Sequence, residues 1–78
     1  MKAIKRNFEN LKKVSDSITS VRFSHGSFIV LDSTKDCICL FSAERHAIGS
    51  TILGLIPANY FYRVAFEDGG LRLTIWFD

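Results

Sequence analysis

FYRVAFEDGGLRLTIWFD, residues 61–78, alternates apolar and polar positions on either side of a glycine turn. Tyr60, Tyr62, Val64 and Phe66 fall on one side of a strand, and Leu71, Leu73, Ile75 and Phe77 on one side of a second. Glu67-Asp68-Gly69-Gly70 between them reads as the turn of a β-hairpin. Paired strands must share faces, and two registers satisfy that rule. A loop at Asp68-Gly69 pairs Phe66 with Leu71, Val64 with Leu73 and Tyr62 with Ile75. A loop at Gly69-Gly70 pairs Glu67 with Arg72, Val64 with Ile75 and Arg63 with Trp76. Asp-Gly is the stronger type I′ signal, and Gly-Gly the source of better cross-strand partners. The pattern leaves both open.

Either register puts Phe61, Arg63, Ala65, Arg72, Thr74 and Trp76 on a second face. Trp and Arg recur at binding hot spots, because a large flat ring and a rigid five-donor fork lose little entropy on engagement. The simpler reading has the segment at 42–56 lying across this face, with Trp76 as core. The alternative makes Phe61, Arg63, Arg72 and Trp76 a docking patch for another protein or a second copy of the chain. Seventy-eight residues can barely cover both faces of five strands.

Toward the N-terminus, Ala3, Ile4, Phe8, Leu11 and Val14 fall within one arc of roughly 140° at 100° per residue. Lys2, Lys5, Arg6, Glu9, Lys12 and Lys13 occupy the other side. This predicts an amphipathic helix that stops at Ser15-Asp16-Ser17. The period then changes to two: Thr19, Val21, Phe23 and His25 predict a half-buried strand, with His25-Gly26 as its turn. Residues 27–31 (SFIVL) and 37–41 (CICLF) predict two further strands around the turn 32–36 (DSTKD), whose side chains can bond their own backbone. Both runs are apolar on both faces, as central strands covered on both sides would be.

Residues 42–56 are ambiguous. Ser42 as a cap and the stripe Ile48, Thr51, Ile52 and Leu55 favour a helix. Gly49 and Gly54 each weaken it by about 1 kcal/mol relative to Ala, and Pro57 ends it. The alternative is one helical turn at 43–48 and a strand at 50–56. The expected fold is therefore one α+β domain over 1–78. An N-terminal amphipathic helix packs on an antiparallel sheet of about five strands, in the order α-β-β-β-α/loop-β-β.

Composition narrows the function classes. The chain is 47% hydrophobic and 13% aromatic with seven Phe, enough apolar area for a folded core. Net charge is +2, too small to imply nucleic acid alone, but residues 1–13 carry +4 and the remainder −2. Lys2, Lys5, Arg6, Lys12 and Lys13 could lie along phosphates or an acidic protein. A helix made soluble by a charged outer face is the simpler explanation, because no helix-turn-helix or stacking platform accompanies them. Charges every few residues at the N-terminus, and no apolar run near 18 residues, predict neither a signal peptide nor a membrane span. Cys37 and Cys39 do not make a disulfide framework, so the expected setting is cytoplasmic with reduced thiols.

Catalytic and metal patterns are weak. Cys37, Cys39, His25 and His46 lack zinc-knuckle spacing, so no metal is expected. Ser24, His25, Ser27, Asp32 and Asp36 hold triad residue types without a nucleophile elbow. Glu44-Arg45-His46 reads as a polar turn before it reads as an acid-base pair. Gly69-Gly70 opens a strand and not a helix, so it is not a phosphate loop. No cofactor is expected, and the reading is non-enzymatic.

The reading that remains is a protein-interaction module with Phe61, Arg63, Arg72 and Trp76 as its contact residues. Small domains of this class are often encoded by phages and other mobile elements to block a host enzyme by covering its surface. An inhibitor of a host defence enzyme, of the anti-CRISPR type, is the specific expectation. The alternative is a small nucleic-acid-binding or regulatory domain using the basic helix. A homodimer closing its sheet against itself is a third arrangement.

Overall fold

The computed structural model describes the backbone of residues 2–77 and the side chains of residues 9–77. The first element, α1 (Lys2–Thr19), buries Leu11, Val14, Ser15 and Ile18 along one stripe, at helical spacing. The earlier part of the expected stripe, Ala3, Ile4 and Phe8, lies outside the described side chains. The expected stop at 15–17 does not occur. Ser15, Asp16 and Ser17 together cost a helix at most about 2 kcal/mol relative to Ala, which the roughly 1.5–3 kcal/mol from burying Ile18 offsets. The helix ends one turn later. There the Thr19 and Ser20 hydroxyls donate to the carbonyls of Asp16 (3.1 Å) and Ser17 (2.7 Å).

The strand expected at 19–25 is also absent. Val21 and Phe23 are half-buried and their neighbours exposed, so the alternation is real, but the backbone has no partner strand. Phe23 and Gly26 instead bond each other in a tight turn, with Gly26 at φ 104°. Phe23 packs edge-on against the buried Phe28 at 6.1 Å.

Among the described residues four strands form one antiparallel sheet: β1 (Ile29–Ser33), β2 (Cys37–Ser42), β3 (Phe61–Glu67) and β4 (Gly70–Trp76), in the order β1-β2-β4-β3. The turn between β1 and β2 is closed by Thr34, whose hydroxyl accepts from the Cys37 N–H at 3.1 Å. β2 is central as expected, whereas β1 is an edge, with Ile29, Val30 and Leu31 all exposed. The 42–56 helix shrinks to α2 (Ser50–Leu53), bounded by Gly49 and Gly54. The Ser42 hydroxyl does accept from the Glu44 N–H (3.0 Å), but the helix it could start goes no further than a turn from Glu44 to Ala47.

One core cluster joins Leu11, Val14 and Ile18 of α1, Phe28, Ala47 and Ile52 to Ile38, Leu40, Leu71, Leu73 and Ile75 of the sheet. Both helices therefore lie on the same face of the sheet. The hairpin takes the Asp68-Gly69 register, with Phe66 opposite Leu71 and Glu67 opposite Gly70. Its turn is not type I′: Gly69 is left-handed (φ 81°) and Asp68 is not, the combination a type II turn requires. Gly70 is fixed by packing. A Cβ there would collide with the Ser42 carbonyl oxygen and lie 2.8 Å from the Phe41 ring.

Gly70→Ala is expected to cost about 1–3 kcal/mol through overpacking, read as a lowered Tm. Gly49→Ala, with nothing within 4 Å of the added methyl, is the control and should change Tm less. A chain ending at Leu73 loses half of the central strand β4 and should show no cooperative thermal transition by circular dichroism. An unchanged melt would overturn the terminal strand's place in the sheet.

Candidate binding surface

Strand alternation decides what the second face of the sheet carries. β2 buries Ile38, Leu40 and Ser42 and turns Cys37, Cys39 and Phe41 the other way. β4 buries Leu71, Leu73 and Ile75 and turns Arg72, Thr74 and Trp76 the other way. The register then builds rows across the open face: Phe61–Trp76–Cys37, Arg63–Thr74–Cys39–Asp32, and Ala65–Arg72–Phe41–Ile29. Among the described residues no helix covers it. The segment at 42–56 does not lie across this face, because Ala47 and Ile52 are in the core on the opposite side.

All four expected contact residues meet on this surface. Phe61 is 50% exposed and its ring stacks on Trp76, centroids 6.0 Å apart and planes 26° from parallel. Trp76 is half-buried, held by that stack on a central strand. Arg72 is tied down: its Nε lies 3.0 Å from Glu67 Oε2 and its Nη2 donates to Oε1 at 3.3 Å. Glu67 therefore reaches Arg72 diagonally, without the Gly69-Gly70 register that would have set them opposite. The carboxylate's hydrogen bond and charge raise the Arg72 pKa above its ordinary value. Arg63 is exposed and makes no salt bridge among the described residues.

Sequence reasoning missed Phe41, Ile29 and Cys39 as neighbours of this patch, because CICLF and SFIVL are apolar on both faces and do not say which side is uncovered. Ile29 and Phe41 also line a shallow cleft of about 340 Å³ with His25, Gly26, Ser27 and Ala43. On the basic helix, Lys12 and Lys13 are exposed opposite the buried stripe. Lys2, Lys5 and Arg6 lie outside the described side chains.

Among the described residues no three His, Cys, Asp or Glu side chains are placed to hold a metal. Cys37 and Cys39 are free thiols, and burial, then Cys39, pushes the Cys37 pKa up, away from a reactive thiolate. Ser24 donates to Glu44 Oε1 at 2.7 Å, and that bond, ahead of the nearby histidines, lowers the Glu44 pKa. A general acid at neutral pH needs the opposite shift. Among the described residues no helix is long and apolar enough to cross a membrane. No protein-family model, curated protein or solved structure matches the chain.

The Ser24–Glu44 bond sets a pH dependence with a definite sign. A carboxyl depressed in the folded state adds stability above its unfolded pKa, and that stability is lost as pH falls through the folded pKa. Ser24→Ala is expected to move the Glu44 titration, followed by NMR, up toward the ordinary carboxylate value. An unmoved titration would assign the shift to something other than this hydroxyl.

Proposed function

We propose that the chain is a small non-enzymatic protein-interaction module that acts by laying its open sheet face over a partner. The observation that carries this reading is the uncovered face itself: Phe61 stacked on Trp76, beside Arg63 with no salt bridge among the described residues. Contiguous exposed apolar surface rimmed by charge is the usual mark of a protein contact. A stacked aromatic pair next to an arginine also matches the composition of binding hot spots. The partner suited to it presents an apolar ridge for the rings and a carboxylate for Arg63. A carboxylate there would engage the guanidinium in two parallel hydrogen bonds. Within this reading the specific role is an inhibitor of a host defence enzyme, of the anti-CRISPR type, carried by a phage or mobile element. Its support is size and class, and the fact that occlusion needs only a surface.

Capture from a host lysate by the tagged chain separates this reading from its rival. Arg63→Glu and Phe61→Ala are expected to lose the captured partner at least tenfold, while Lys12→Glu/Lys13→Glu retains it. Trp76 is less suitable as a probe, because truncating it also removes a half-buried ring from β4. The reverse pattern, with capture falling steeply as salt rises, would move the function to the basic helix and nucleic acid.

A further inference from the structure

The two edges of the sheet are built differently. β1 is short and irregular: its register shifts between Val30 and Asp32, and Asp32 turns its carboxylate back onto the Ser33 N–H at 2.8 Å. A bulge is a usual means of blunting an edge. β3 has none. Its seven residues run in unbroken register with β4, and Tyr62 and Phe66 stay 46% and 58% exposed. Arg45 reaches its end, with its guanidinium 5.1 Å over the Phe66 ring and a hydrogen bond to the Glu67 carbonyl at 3.0 Å, yet leaves Phe66 open.

Hydrogen-bond geometry says which groups face outward. A two-residue loop makes Glu67–Gly70 a hydrogen-bonded pair, so Ala65, Arg63 and Phe61 also direct their backbone groups at β4. Tyr62, Val64 and Phe66 therefore present N–H and C=O to the free edge. An added antiparallel strand would bond these three.

We propose that the β3 edge pairs with the β3 edge of a second copy of the chain, across a two-fold axis at Ala65, making a continuous eight-stranded sheet. The register follows from charge. With Ala65 opposite its own copy, Arg63 faces Glu67 of the other chain, twice by symmetry, in non-hydrogen-bonded pairs whose Cα atoms lie about 4.5 Å apart. On the other side of the sheet Val64 faces Phe66, and these symmetric pairs form about four inter-chain backbone hydrogen bonds. Centring the axis on Val64 sets Phe61 against Glu67 and brings the two Arg63 side chains to diagonal positions. Centring it on Arg63 sets the arginines directly opposite each other. Only the Ala65 register gives both charges an opposite partner. A carboxylate has about four acceptor sites, so Glu67 can keep Arg72 while taking the second arginine. The edge alone buries less than an obligate dimer interface, and the expected equilibrium is a weak one, with Kd on the order of micromolar.

Sedimentation velocity from about 1 to 200 µM tests this, with the wild-type chain expected to move from 8.8 kDa to twice that mass. Arg63→Glu alone opposes carboxylate to carboxylate, and Glu67→Arg alone opposes guanidinium to guanidinium; each should weaken the dimer at least tenfold. Mixed one to one, the two variants set a carboxylate against a guanidinium at both crossings, and a heterodimer should return. Phe66→Lys puts a charge on the edge away from the open face, and is expected to abolish dimerisation while keeping the wild-type circular dichroism spectrum. A wild-type chain monomeric throughout, or variants that fail to recombine, would overturn the proposal. It does not rest on the open-face reading: Phe66→Lys strikes only the edge, and Phe61→Ala only the face.

Discussion

Six consecutive residue pairs between β2 and β4, from Cys37–Trp76 to Ser42–Leu71, are the contact on which the other elements depend. These two strands put Ile38, Leu40, Leu71, Leu73 and Ile75 on one side and need a single apolar layer to cover them. An 18-residue helix is about 27 Å long, more than the roughly 20 Å of a six-residue strand. One helix therefore suffices for one face, with Phe28, Ala47 and Ile52 filling the margin. Among the described residues there is no second helix of useful length. A one-sided sheet is the consequence, and the open face follows from how little helix the sequence contains.

That consequence was only partly legible in the sequence. The last hairpin could be read from alternation and its glycines, down to two admissible registers, because side-chain faces leave little freedom once a turn is placed. The stripe at Leu11 and Val14 was equally clear. Local pattern reports burial, and burial does not specify backbone partners. Val21 and Phe23 alternate because they pack on the core, not because they pair in the sheet. Ser15-Asp16-Ser17 looked like a stop, and Ile18 carried the helix through it. Gly49 and Gly54 counted as weak positions within a long helix, and they are its two ends.

The shared face of the four residues was legible, and its surroundings were not. Phe61, Arg63, Arg72 and Trp76 share a face in either hairpin register, so their grouping needed no structure. Whether that face was covered depended on which side of the sheet Ile52 took, and a segment of mixed Gly and aliphatic residues does not encode a side. Glu67 was likewise expected to meet Arg72 only if directly opposite. Long side chains reach diagonal partners about 7–8 Å away across a strand pair, which is how the two meet in the register observed.

Arg63 is where the two proposed contacts converge. It lies on the open face, one row from the Phe61–Trp76 stack, and also on the free edge of the sheet. A two-fold axis perpendicular to the sheet keeps both open faces on the same side, so a β3 dimer would present two aromatic stacks in one surface. Its Arg63 side chains would stand between those stacks, each facing a Glu67. A guanidinium has five donors and can serve a carboxylate from each direction. Partner capture and self-pairing would then draw on one side chain, and thermodynamic linkage makes any resulting coupling reciprocal. If one carboxylate takes the whole fork, the two contacts weaken each other by the same factor. If the fork is shared, the dimer fixes Arg63 in place before the partner arrives, and binding the partner costs less side-chain entropy.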